Sequence, residues 1–281
     1  MPQTVSIEAK GATLSGLFYP PQGKARAHLV LHGATGVPQG YYAGFAQWAA
    51  AQGVGVLTYD YRDFGASTTG AMRHARATMA DWAVHDQEAA ERALRDLAPL
   101  GPLLILGHSI GGLGLAFRRQ DARVAGITTI GSGFAHVADH PMPYLLLVLS
   151  FWYGPGPLAT ALAGYLPGRR LMLGADLPAE VYWQWRRWCT RRGFWADDIG
   201  VSLPPPEPDP SGPPWRLMVS ADDRVVPPDA VWRYGDTLDP GRVTRHLLNP
   251  ADFGLRKIGH IEAFSRRNQA IWPVLLGDLV G

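Results

Sequence analysis

The chain opens with two stretches, residues 4–9 and 13–19, in which apolar and polar side chains alternate around a glycine at position 11. Alternation with period two turns one face of a strand toward a core, so the pattern predicts a β-hairpin. Four later runs are apolar almost without interruption: 27–31, 54–59, 103–106 and 124–130. Short runs of this kind suit strands buried on both faces, as in a parallel sheet. Residues 41–52 predict a helix with Gly53 as its stop, and 80–97 predict an amphipathic one. In the latter, Ala83, Ala90 and Leu94 or Leu97 share a face, while Asp86, Glu88, Glu91 and Arg95 are assigned to solvent. A further helix is expected from about Gly112. Strands alternating with helices predict an α/β domain whose mostly parallel sheet is wound by crossover connections.

The alternation stops near residue 134. Residues 140–168 contain no Asp, Glu, Lys or Arg. A membrane-spanning helix needs about 20 continuous apolar residues. Pro141, Pro143, the G-P-G-P run at 154–157 and Pro167 divide this stretch into two short pieces. A buried or substrate-facing hydrophobic lid is therefore expected, and membrane spanning is not. A Trp-rich helical piece follows at 181–192, then the tract L-P-P-P-E-P-D-P-S-G-P-P, which is an extended connector. Regular patterning resumes with strands at 216–220 and 243–248 and a closing helix at 268–279. The expected architecture is a core made of residues 1–133 and 215–281. It is interrupted after the sixth strand by a helical cap, residues 134–214, with the Pro-rich tract as its return linker.

Composition narrows the possibilities. The chain has 281 residues, 47% hydrophobic and 18% charged, with a net charge of +2. That is enough chain for a large single core, and nothing in the charge draws it to nucleic acid. A single cysteine, Cys189, excludes an internal disulfide and a cysteine-based metal cluster. The first ten residues lack a cationic segment followed by an apolar one, so a cytoplasmic location is expected. The pairs His28 and His32, and His136 and His140, have four-residue spacings but no clear third ligand. No metal and no cofactor is expected.

The strongest chemical signal is Gly107-His108-Ser109-Ile110-Gly111-Gly112, placed between a buried strand and a helix. A serine there sits on a strained turn that exposes its hydroxyl, and the glycines let strand and helix approach closely. A hydroxyl needs a base, and in chain order the acid and the histidine should follow the serine. Only His246 and His260 lie beyond the cap. His246 falls inside a predicted strand, whereas His260 lies in the loop-like K-I-G-H-I-E-A-F, so His260 is the candidate base. Two carboxylates, Asp222 and Asp223, follow the strand at 216–220. Developing negative charge on a substrate oxygen would be held by the N–H of Ile110 and a second donor from the loop L-H-G-A-T-G, where Ala34 is the expected one. Thr35, His108, Trp152 and Trp185 are candidates for substrate contact. The cap tryptophans at 152, 183, 185, 188 and 195 either grip an apolar group or pack the cap onto the core.

Taken together, H-G-A-T-G at 32–36, D-Y-R-D-F-G-A-S at 60–67, G-H-S-I-G-G, D-D-R-V-V-P at 222–227 and the late G-H resemble the α/β-hydrolase superfamily. Within it the chain is similar to a branch of bacterial predicted hydrolases related to serine aminopeptidases and monoglyceride lipases. The resemblance implies a Ser109–His260–Asp223 triad, with Asp223 as the acid because it stands three residues before the Val-Pro end of its turn. Asp222 is then a turn former that bonds local backbone. The implied activity is hydrolysis of an ester, or a thioester or amide, of a small-molecule acyl substrate through an acyl-enzyme, and the cap aromatics make an apolar acyl group the expected one. An alternative is a thioesterase or acyltransferase that docks an anionic carrier on Arg169, Arg170, Arg186, Arg187, Arg191 and Arg192. Another is a binding protein on the same fold. The sequence departs from the pattern at Asp63, where the superfamily segment more often has glycine.

Overall fold

The computed structural model describes residues 1–171 and 174–277. Strand β1 (Gln3–Ala9) pairs antiparallel with β2 (Ala12–Tyr19), and Gly11 takes φ +77° in the turn between them. β3 (Ala27–His32) runs into a loop and a 3-10 turn at Gln39–Tyr42, after which α1 spans Ala43–Ala51. The helix expected from residue 41 thus begins as a tighter turn. β4 (Val54–Tyr59) follows, then a π-helical segment at Asp81–Asp86 continuing into α2 (Gln87–Leu97). β5 (Leu103–His108) leads directly into the short α3 (Ile110–Leu113), which starts two residues before the expected position, and β6 spans Val124–Ile130.

The chain then leaves the sheet for three helices. These are α4 (Tyr144–Tyr153), α5 (Pro155–Ala163) and α6 (Ala179–Thr190), with a small antiparallel pair, β7 (Tyr165–Leu166) and β8 (Leu177–Pro178), between α5 and α6. It returns through β9 (Trp215–Ser220), α7 (Pro228–Gly235) and β10 (Val243–Leu248). The closing helix expected over 268–279 is instead a 3-10 segment, Arg266–Ile271, and a short α8, Trp272–Leu276. Pro273 in its first turn lacks an N–H for the preceding turn, which accounts for the change of winding. Residues 278 and 279 lie outside the described residues.

The main sheet has the order β1-β2-β4-β3-β5-β6-β9-β10, parallel from β4 onward and antiparallel at β1 and β2. Its two faces bury separate cores, as alternation within a strand requires. Val30, Leu57 and Ile105 face Trp82, Ala90 and Leu94 on one side. Leu29, Leu31, Val56 and Leu106 face Phe45, Ala49 and Trp272 on the other. The aromatic cluster of the inserted helices joins the first core.

Asp86 and Glu91, expected in solvent, are buried. Asp86 accepts from the N–H and Nε of Arg62 (2.8 and 2.7 Å), and burial pushes its carboxyl up to about 6 against the pull of that guanidinium. Glu91 pairs with Arg118 and sits 3.2 Å from His32 Nε2. Two physical causes explain the difference. The π segment turns the chain by more residues per turn than a 3.6-residue pattern assumes, and the two arginines arrive from elsewhere in the chain.

Candidate active site

At the end of β5 the chain turns through Ser109 at φ +56°, ψ −121°. That conformation is strained for a side chain with a Cβ, and the surroundings hold it. The Ser109 N–H donates to the Ile130 carbonyl (3.0 Å), which ties the turn to β6. A Cβ on Gly111 would run into the carbonyl oxygen of His32, and one on Gly107 into the backbone of Gly112. Only glycine permits these approaches. Ser109 is left half-buried beside a cavity of ≈340 Å³.

His260 borders the same cavity. Its Nδ1 lies 2.7 Å from Asp223 Oδ2, and Asp223 Oδ1 accepts from the N–H groups of Val225 and Val226 (both 2.9 Å). Because a carboxylate only accepts, Nδ1 carries the proton and Nε2 is left to receive one. Asp222 does more than shape its own turn. It accepts from the N–H groups of Ile258 (3.2 Å) and Gly259 (2.9 Å) and from the Ser220 hydroxyl. Burial works against its charge, but those donors hold its carboxyl below the ordinary range, so it fixes the loop that carries His260. Ser109 Oγ has no hydrogen-bond partner among the described residues. Nucleophile–base contacts are often long before substrate is in place and tighten in the complex.

A second buried chain links three loops of the site. The Nε2 of His108 lies 3.0 Å from the His260 carbonyl, which can only accept, so Nε2 holds the proton and Nδ1 is an acceptor. Tyr42 Oη, 2.9 Å from Nδ1, therefore donates to it and itself accepts from the N–H of Ala34 (2.8 Å). Burial, and then the neighbouring His260, lower the pKa of His108, consistent with a neutral ring. Two expectations change here. Ala34 N–H is committed to Tyr42 rather than open to the cavity. His108 is fully buried and does not border the cavity, so it contacts no substrate there. The N–H groups of Thr35 and Ile110 donate to no acceptor among the described residues, and both residues border the cavity.

The rest of the cavity wall is apolar and comes from the inserted helices. Val148, Phe151 and Trp152 of α4 and Trp185 and Trp188 of α6 all border it. Trp183 and Trp195 do not; Trp195 packs against Phe117 and Phe134. Cys189 also lines the wall, its thiol pushed up to about 12 by burial, which keeps it protonated. His140 is a cavity residue that the sequence marked only by its spacing to His136. Its Nδ1 donates to the Arg224 carbonyl (2.8 Å), and burial lowers its pKa. Tyr42 likewise carried no signal in the sequence, because its partner is a backbone N–H. Among the described residues no cluster of three or more potential metal ligands occurs.

A strained serine at a strand–helix turn, on one cavity with an Asp-held imidazole at the carboxyl ends of the strands of a mostly parallel sheet, defines the hydrolase class of α/β proteins. A profile described as the Alpha/beta hydrolase family matches residues 29–256, and the chain belongs to that family. No curated protein matches the sequence. Among solved structures, a putative hydrolase from Agrobacterium vitis superposes with a TM-score of 0.62 at 17% identity, covering 100% of this chain and 99% of the other. A soluble variant of monoglyceride lipase from Saccharomyces cerevisiae gives 0.61 at 15%, covering 98% and 94%. A thermophilic esterase from Thermogutta terrifontis gives 0.58 at 18%, covering 99% and 100%. At these identities the likeness is one of fold.

Proposed function

We propose that this protein is a serine hydrolase that cleaves a carboxylic ester, or the related thioester or amide, of an apolar acyl substrate. The observation that carries the reading is Ser109 held at φ +56° beside the same cavity as a His260 ring bonded to Asp223. Ser109 Oγ attacks the acyl carbonyl carbon while its proton passes to His260 Nε2. The oxyanion is held by the N–H groups of Ile110 and Thr35; the latter replaces Ala34, whose N–H is already bonded. His260 then gives the proton to the leaving oxygen, sulfur or nitrogen as the tetrahedral intermediate collapses to the acyl-enzyme. Water, deprotonated by His260, attacks that ester and releases the acid and free Ser109. Asp223 keeps the imidazole in one tautomer and stabilises its protonated form. In this reading the helices between β6 and β9 act as a cap that shapes the acyl pocket.

A fluorophosphonate probe tests the reading directly. Wild type should label, Ser109→Ala should not, and His260→Ala should label roughly 10²–10⁴ times more slowly. A folded wild type that resists the probe would instead favour a non-catalytic binding protein. The carrier-docking alternative draws less support. Arg187 is paired with Asp198 and Arg191 with Asp197, which removes two of its six cations.

A further inference from the structure

Helix α4 turns one side to the cavity, α5 packs beside it with Gly156 and Thr160 buried, and both leave their other side bare. Tyr144–Ala163 is a 20-residue stretch of mean hydropathy 1.4, long and apolar enough to cross a membrane by composition alone. Its backbone breaks at Gly154 (φ −118°, ψ −105°), so each helix is only about 15 Å long, half of a bilayer's hydrocarbon core. The outward side carries Leu146, Leu149 and Tyr153 on α4, and Leu158 and Leu162 on α5, exposed by 36% to 81%. Those positions recur at helical spacing, where a water-facing helix would place charge. At the end of α5, exposed Arg73 lies beside Gly164, and exposed Arg169 and Arg170 follow in the next turn. No guanidinium of the three has a carboxylate partner among the described residues; Asp176 bonds only the main-chain N–H of Arg169 (3.1 Å).

We infer that this face docks on an anionic lipid surface, with α4 and α5 lying in the interface and the three arginines meeting headgroups. Leu147 is both 62% exposed and a cavity residue, so it stands at the opening and joins the bare face to the pocket. A lipid leaflet seated there can supply acyl chains to Ser109. A second copy would instead cover the opening, and two-fold pairing would set like against like with no carboxylate in residues 140–168 to answer the arginines. The inference rests on the esterase reading for what enters the pocket, but the docking itself does not need catalysis.

Vesicle flotation tests it, using equimolar phosphatidylcholine and phosphatidylglycerol beside phosphatidylcholine alone. Wild type should float with the mixed vesicles. A Leu146→Asp, Leu149→Asp, Leu162→Asp variant should partition roughly tenfold less. An Arg73→Glu, Arg169→Glu, Arg170→Glu variant should lose the preference for the anionic mixture. Both variants should keep the wild-type rate on soluble p-nitrophenyl acetate, since none of these side chains lines the cavity. A wild type that stays with neither vesicle overturns the inference, as does a wild-type dimer that the leucine variant splits into monomers. Failure of the esterase reading would show separately, as no labelling of Ser109 in protein that still floats.

Discussion

Tyr42 Oη accepts from Ala34 N–H and donates to His108 Nδ1, so removing one oxygen strands two buried polar groups. The ring itself would stay packed against His108 and Phe264 in Tyr42→Phe. The expected loss is about 1–3 kcal/mol for each group left without a partner, read by urea denaturation. An unchanged midpoint would mean that Ala34 N–H finds another acceptor. Steady-state kinetics should also show kcat falling more than KM rises, because the chain aligns the loops of Ser109, His260 and the oxyanion donors without touching substrate. Ser109 and His260 were legible in the sequence because each stands beside glycines that fix the local backbone, whereas the choice of Asp223 over Asp222 came from the superfamily resemblance. Tyr42 was not legible, since nothing in its neighbourhood announces a bond to a main-chain amide. Asp63 shows how a departure from the superfamily pattern is absorbed. It takes φ +56°, a conformation that aspartate tolerates better than most residues, and its carboxylate accepts from the N–H groups of Arg76 and Ala77. The loop therefore keeps the turn that glycine would have made.

At the scale of elements, α2 carries the clearest lesson and a pH dependence. Its apolar face was readable from spacing, and Ala90 and Leu94 do pack on the sheet. Its polar face was not readable, because the partners of Asp86 and Glu91 sit at positions 62 and 118 and the π segment shifts the register before α2 begins. Burial opposes ionisation of Glu91, but the Arg118 guanidinium and the His32 ring overcome it and hold the carboxyl at about 2. A glutamate in the unfolded chain titrates near 4.5. The folded state therefore gains from the ionised form fully above that value and loses the gain as pH falls toward about 2. Wild type should lose stability through this window, measured by thermal unfolding at stepped pH. Glu91→Gln should flatten that slope and cost about 3–5 kcal/mol at neutral pH, because Arg118 would remain buried without its counter-charge. Equal slopes for the two proteins would assign the acid transition to other groups. The same pair touches the site, since His32, bonded to Glu91 and 2.7 Å from Tyr59 Oη, begins the loop that carries Thr35.

The cavity belongs to the whole molecule, because neither the sheet nor the inserted helices encloses it alone. The segment between β6 and β9 is held to the rest of the chain by the Ala80 N–H donating to Gln184 Oε1 (2.9 Å) and the Ala175 N–H to the Gly36 carbonyl (3.0 Å). The sequence indicated that this segment was apolar and interrupted, and the two short helices match that reading. It gave no means of deciding which apolar residues turn inward, since α4 is hydrophobic on every side and a helical period cannot then select a face. The inward set makes a testable demand on specificity. Burying each additional methylene of an acyl chain against Trp152, Trp185 and Val148 contributes about 0.8 kcal/mol, or roughly fourfold in kcat/KM. Across p-nitrophenyl acetate, butyrate and hexanoate, kcat/KM should therefore climb by about that factor per carbon until the ≈340 Å³ is filled. Trp185→Ala removes wall from a half-buried position, so it should lower the slope with chain length while leaving the acetate rate, set by Ser109 and its donors, near wild type. A slope that does not change would place the acyl chain elsewhere than against α6, and a wild-type rate indifferent to chain length would remove the apolar pocket from the mechanism altogether.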